Sequence, residues 1–283
     1  MGEVASRPGQ AGPDTRPPQD HDGPAGYVVR PLPANRKVVV DRLFGAVRRF
    51  PIHGLVEFDV EQARSAIAGS EPPVSRTGFV IATLARAVAR HPAVNARRAG
   101  NRVLYFDRVD IGATVERYGP GGLVLDVTAV RDADRKSCAA ISEELRRAKH
   151  GSERLLPRHG PVAAQLWRLP GPLRRSLVRA AGTRPQVAAT FGPAVGVTSL
   201  GMFGDGGGWA IPLSPLTLIA TASGVVERPV VRGGNVVVRP MLPLTLTFDH
   251  AVVDGGPAAR FVATLRELTE TAAAFEGAPA REP

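Results

Sequence analysis

The run FDHAVVDGG, Phe248 to Gly256, sets the architecture. Upstream of it PLTLTFDH alternates, so that the even positions Leu244, Leu246, Phe248 and His250 share one face of a strand. Downstream, Pro257 has a backbone angle suited to the first helical position, and Phe261, Leu265 and Leu268 continue a helix toward Gly277. A strand therefore ends in a histidine on its apolar side, and Asp254 with Gly255 and Gly256 turns the chain into a helix. Histidine has an unperturbed pKa of about 6.5, so a half-buried one beside such a turn can act as a general base. The same residues also read as plain structure, a satisfied strand-end histidine and an ordinary helix-start acid.

Elsewhere, LTLIATASGVV and VVRGGNVVV have a period of two, and Gly233 and Gly234 between β-branched runs predict a hairpin. LVLDVTAV, Leu123 to Val130, predicts another strand. In GVTSLGMFGDGGGW, Gly196 to Trp209, the adjacent hydroxyls Thr198 and Ser199 stand at a strand end before a glycine-rich turn, where they could donate to an oxyanion. This is neither the dinucleotide fingerprint nor a phosphate loop, and Gly-x-Ser-x-Gly is absent, which argues against Rossmann, kinase-like and ordinary esterase readings. His250 and Asp254 make two metal ligands at best, with no third clustered nearby in sequence, so no metal site is predicted.

Helices alternate with these strands. In TGFVIATLARAVARH, Phe79, Val80, Leu84, Ala87, Val88 and His91 fall at helical spacing, capped by Ser75 or Thr77 and closed before Pro92. SCAAISEELRRAKHG predicts a second helix after Ser137, with Ile141, Leu145 and Ala148 on one face, Cys138 as a small packing residue and Gly151 as the stop. Leu155 to Gly204 has six Arg and no acid. Within it Leu166, Leu169, Leu173 and Leu177, interrupted by Pro170 and Pro172, predict two short basic amphipathic helices, a helical insertion over 155–185. The fold class is α/β, a mixed sheet covered by helices.

Composition sets the outer bounds. The 283 residues are 43% apolar, enough for a sizeable core. Seven Pro and five Gly crowd the first 35 residues, which are expected to be a disordered tail, as are residues 277–283. One cysteine excludes a disulfide framework and a four-Cys zinc module. No apolar run is long enough to span a bilayer and no signal pattern opens the chain, so a cytoplasmic location is expected and membrane contact is not. The net charge of +10 attracts anions without naming one, and Lys occurs only at 37, 136 and 149. No internal repeat is present.

Taken together, GVTSLGMFG and SGVVERPVVRGGNVVVRPMLPLTLTFDHAVVDGGPAARFVATLRELTE resemble the catalytic domain of the dihydrolipoyl acyltransferases of 2-oxo acid dehydrogenase complexes. The likeness continues upstream through RKVVVDRLF, FPIHGLVEFDV, HPAVNAR, FDRVDIGATVER and GLVLDVTAVRDADRKS, covering nearly all of residues 36–276. Chloramphenicol acetyltransferase, of the same superfamily, has a motif similar to HAVVDG, and the implied architecture is its two-layer sandwich. The resemblance implies acyl transfer between CoA and a thiol or hydroxyl by direct attack, with no acyl-enzyme. His250 matches the general base, and Thr198 stands where the family usually has the serine that stabilises the oxyanion. Asp254 matches the motif's acid, read as an ion-paired support with Arg36 as its partner. Ser199 and Gly255 complete the matched motifs. A homotrimer or higher assembly, with sites at subunit interfaces, is also implied.

Three departures bear on function. Ala251 follows the base where the dehydrogenase-complex enzymes have Arg, Asp126 replaces a Pro, and no lipoyl domain fits in the 35-residue leader. They point first to a free-standing enzyme that moves an acetyl group from acetyl-CoA to a hydroxyl of a small molecule, in the manner of natural-product pathways. The alternative is a complex core subunit that uses lipoyl groups of another chain. A third class, a non-catalytic oligomeric or nucleic-acid-binding protein, rests on charge alone; no nucleic-acid motif supports it, and no nucleic-acid partner is expected.

Overall fold

The computed structural model describes residues 34–119, 122–150, 169–200 and 207–276. The expected leader, the C-terminal tail and the first part of the insertion lie outside the described residues. By compactness the chain divides into Met1–Val39 and Val40–Pro283. Of the first unit, the described part is the opening of helix α1 (Ala34–Ala46). The second holds everything below.

Its centre is a mixed sheet in the order β1 (Pro51–Asp59), β9 (Asn235–Asp249), β7 (Leu218–Ala222), β6 (Val195–Ser199), β4 (Ile111–Gly119), β5 (Gly122–Val130). β6 runs parallel to both β4 and β7, and the remaining neighbours are antiparallel. β8 (Val226–Arg232) pairs with the far half of β9, and β2 (Ala96–Ala99) with β3 (Arg102–Tyr105) forms a separate ribbon. Gly233 and Gly234 both take positive φ, +57° and +82°, between the paired Arg232 and Asn235. That is the two-residue turn whose left-handed backbone glycine tolerates best.

Helices α2 (Glu61–Ala68), α3 (Arg76–Arg90), α4 (Cys138–His150) and α7 (Gly255–Glu270) cover the sheet, with α5 (Gly171–Gly182) and the single turn α6 (Pro185–Ala188) before β6. Ser75 caps α3 by accepting from the Gly78 amide at 3.0 Å, and the helix ends before Pro92 as its spacing predicts. It is buried almost all round because the sheet lies on one side and α4 and α7 on the other. Cys138 is buried, its thiol donating to the Ala274 carbonyl at 3.2 Å, and burial pushes its pKa up. α7 differs from expectation at both ends. It starts at Gly255, two residues before Pro257, and stops at Glu270, after which Ala272 takes a left-handed conformation and a short 3-10 turn, Ala273–Phe275, stacks Phe275 on Phe79. In the insertion, a single described helix, α5, begins beside Pro172, and its Arg174 is buried against Asp41 at 2.6 Å.

α3 and α4 meet at Gly78. A Cβ there would stand 2.1 Å from Ser142 Oγ and 3.2 Å from Ser142 Cα. Ser142 cannot swing aside freely, because its hydroxyl accepts from the Ser75 amide and donates to the Cys138 carbonyl. Gly78→Ala is therefore expected to destabilise the fold by about 1–3 kcal/mol, the usual cost of overpacking, measured as a lower denaturant midpoint with unchanged slope.

Candidate active site

β9 is buried on both faces from Pro240 to Asp249. Leu244, Leu246 and Phe248 point into the helix-covered core, while Thr245, Thr247 and Asp249 occupy the other face. The strand ends one residue before the histidine. Asp249 closes a tight turn, its carbonyl accepting from the amides of Val252 at 2.9 Å and Val253 at 3.0 Å. His250 thus sits in the turn rather than on the apolar face that strict alternation would give it. Its side chain is 46% exposed, and its amide donates to the Phe50 carbonyl at 2.7 Å.

Asp254 is the residue before α7, and its side chain makes no capping bond. It is 84% exposed and lies 3.5 Å from His250 Nδ1. A carboxylate beside Nδ1 favours the tautomer protonated there, which leaves Nε2 as the basic nitrogen. Arg36 falls in the first turn of α1, where its side chain lies outside the described ones. Gly255 opens α7 directly after Asp254.

Thr198 and Ser199 end β6, and as successive strand residues they point to opposite faces of the sheet. Pairing puts Thr198 beside Thr221 of β7, and Thr221 beside Thr245 of β9, so three threonines share one row. The hydroxyls of Thr221 and Thr245 are buried and have no hydrogen-bond partner among the described residues. Ser199 lines a cavity of about 220 Å³ between α2, the start of α3 and the ends of β6 and β7, whose walls include Ile67, Ser75, Val80, Ser223 and Leu242. The run before β6 is pinned by buried Arg97, which donates to the carbonyls of Ala188, Gly192 and Pro193 at 2.6–2.9 Å. Burial, with a smaller contribution from Arg49, lowers the Arg97 pKa to about 10.

The fold brings His250 and Asp254 together, and Thr198 and Ser199 together, but not the two pairs. His250 lies five positions beyond Thr245, and two strand spacings separate β9 from β6. Those offsets place them about 19 Å apart within one chain.

Two residues outside the sequence-derived set complete the histidine's surroundings. Asp249, only 2% exposed, accepts from Arg49 Nη1 at 2.5 Å through Oδ2 and from the Ala251 amide at 3.2 Å through Oδ1. Asp249 stands next to the histidine in the motif, and that adjacency was the one available signal. Nothing in the sequence marks Arg49. Among the described residues no group of three or more His, Cys, Asp or Glu gathers as a metal site, and no helix is long and apolar enough to cross a membrane.

The family profile described as 2-oxoacid dehydrogenases acyltransferase (catalytic domain) matches residues 27–155 and 166–275. The chain is 34% identical over 179 residues to the mitochondrial dihydrolipoyllysine-residue succinyltransferase component of the 2-oxoglutarate dehydrogenase complex of Saccharomyces cerevisiae, covering 63% of this chain and 32% of that protein. It is 30% identical over 193 residues to the corresponding component of Haemophilus influenzae, covering 68% of this chain and 39% of that one. The chain thus spans a third to two fifths of the length of these relatives. In structure it is similar to a dihydrolipoamide acetyltransferase of Azotobacter vinelandii, with TM-score 0.65 and 21% identity over 92% of this chain and 98% of that one. In that enzyme a serine, a histidine and an asparagine were investigated for their role in the catalytic mechanism. A probable dihydrolipoamide acetyltransferase of Listeria monocytogenes is similar too, with TM-score 0.63 and 22% identity over 87% of this chain and 95% of that one.

Proposed function

The chain belongs to the 2-oxoacid dehydrogenases acyltransferase (catalytic domain) family, and on that basis we propose that it moves an acyl group between CoA and a dihydrolipoyl thiol. The reading ranked first from sequence, acetylation of a small-molecule hydroxyl, is corrected by the relatives, whose names specify dihydrolipoyl or lipoamide acyl transfer. That reading leaned on Ala251 and on the short leader. One methyl side chain after the base does not define an acceptor, and the length of the leader does not decide which acceptor is used.

The observation that carries the proposal is the position of His250, held by its backbone in a turn at the sheet end with one imidazole nitrogen against Asp254. In the proposed reaction His250 Nε2 takes the proton from the CoA thiol as its sulfur attacks the carbonyl of the acyl-lipoyl thioester. A tetrahedral oxyanion forms and accepts from the Thr198 hydroxyl of a second copy, since the same chain's Thr198 is too far away. The oxyanion collapses, the carbon–sulfur bond to the lipoyl group breaks, and the departing sulfur recovers the proton from His250. Acyl-CoA and dihydrolipoamide result, and the steps reverse in the other direction. Arg76, in the lining of the cavity beside Ser199, offers positive charge to the phosphates of CoA, whereas Arg64 there is already paired with Glu227 at 2.8 Å. The relatives differ in acyl group, so acetyl, succinyl and branched chains are all candidates.

The test is acyl transfer from acetyl-CoA, succinyl-CoA and isobutyryl-CoA to dihydrolipoamide, followed through loss of the CoA thioester, with simple alcohols as competing acceptors. Turnover on dihydrolipoamide with at least one donor is expected. Turnover on an alcohol alone would overturn the proposal.

A further inference from the structure

The structure assigns to Arg49 and Asp249 the positioning of the general base, through a two-point clamp between the start of β1 and the end of β9; this rests on the role proposed above for His250. One point is the charge-assisted bond from Arg49 Nη1 to Asp249 Oδ2 at 2.5 Å. The other is the bond from the His250 amide to the carbonyl of Phe50, the residue after Arg49, at 2.7 Å. Two adjacent residues of one segment thus hold two adjacent residues of the other.

Asp249 is also the hub of the turn. Its amide donates to the Thr217 carbonyl at 2.9 Å, Oδ1 accepts from the Ala251 amide, and its carbonyl accepts from the amides of Val252 and Val253. The backbone just before and just after His250 is therefore tied through one residue with a buried carboxylate. Burying that charge is costly, and a pair of apolar side chains would serve stability as well or better. What an apolar pair cannot supply is the directional bond that keeps Oδ1 turned toward the Ala251 amide. Without Arg49 the Asp249 carboxylate is free to rotate and hydrate, the turn loosens, and the imidazole loses its fixed approach to the reacting thiol. Asp254 does not replace the clamp, because it is solvent-exposed and touches the ring from the helix side alone.

Arg49→Met, Arg49→Lys and Asp249→Asn test the assignment in the full-length chain. In Arg49→Met kcat is expected to fall about 10- to 100-fold while KM for both substrates stays within about two-fold, as for a displaced catalytic group. Arg49→Lys is expected to recover at least about ten-fold of that loss, because a single nitrogen makes the native bond and the guanidinium fork is not needed. Asp249→Asn keeps the side-chain volume and an acceptor for Ala251, and is expected to lose activity like Arg49→Met; it serves if Arg49→Met fails to fold. A general structural defect would instead move Tm and KM together, without rescue by Lys. Wild-type kcat in Arg49→Met, in a protein whose His250→Ala variant is inactive, would overturn the clamp and leave the reaction standing. If the wild type itself shows no acyl transfer, a crystal structure of Arg49→Met decides: a displaced or disordered 249–253 turn supports the clamp, and a native His250 position refutes it.

Discussion

Replacing His250 with alanine is expected to lower kcat for acyl transfer by about 10²- to 10⁴-fold, the range for loss of a general acid–base group. The structure makes this substitution interpretable. The imidazole is half exposed, and the bond that places the residue runs from its backbone amide to Phe50, which alanine retains. Little buried apolar contact is lost, so Tm should stay within a few degrees of wild type. At neutral pH a thiol with a pKa near 8.5 is mostly protonated, so a base at the site has a proton to remove in every turnover. KM for CoA and for dihydrolipoamide should change little, since the ring acts on the reacting thiol rather than on the body of either substrate. A decrease smaller than about three-fold, with native Tm, would mean that the proton leaves by another route and that His250 is a structural strand-end residue.

Much of this arrangement was readable along the chain because it depends on local chemistry. The period-two run before His250, the glycine pair at Gly233 and Gly234, and the Ser75 cap each make their element from residues within a few positions, and each is found where expected. The terminal position of His250 was less accessible. Strict alternation assigned it to the apolar face, but Asp249 turns the backbone one residue earlier by gathering the Val252 and Val253 amides. The clamp was not readable at all. Arg49 and Asp249 are 200 positions apart, and only antiparallel pairing of β1 with β9, which sets Pro51 opposite Asp249, makes them neighbours. The helix start shows the same limit in miniature. The fixed proline angle marked Pro257 as the first helical position, and the two glycines before it adopt helical geometry as well.

The choice of acceptor failed for a different reason. Ala251 is one small side chain beside the base, and neither it nor the length of the leader specifies the chemistry of an acceptor. The order of motifs along the chain, by contrast, is what the family profile matches. Thr198 and His250 were each singled out from their surroundings as candidates, yet their separation became visible only through strand register.

Because of that separation, chains carrying His250→Ala and chains carrying Thr198→Val are each expected to be nearly inactive, and mixed oligomers of the two are expected to regain activity. A reacting carbonyl must lie about 3 Å from the attacking sulfur and from the oxyanion donor at once. Two groups about 19 Å apart on one rigid sheet cannot both meet it. If His250 of one copy faces Thr198 of another, then a random equal mixture assembles intact pairs at about one quarter of its sites, the product of two even chances in a closed symmetric assembly. Coexpression with two different tags, followed by sequential capture, isolates the mixed species and removes the inactive homo-oligomers, so kcat per chain should exceed that fraction and reach about one third of wild type in a closed trimer. The two variants mixed after separate purification, without subunit exchange, should stay at background. Mixed oligomers that also stay at background would place both groups in the same copy, which the strand register forbids without a large rearrangement, or would show that Thr198 is not the oxyanion donor. Thr198→Ser against Thr198→Val separates these outcomes: activity kept with serine and lost with valine is expected where the hydroxyl is used in either arrangement, and activity kept with both would show that it is not.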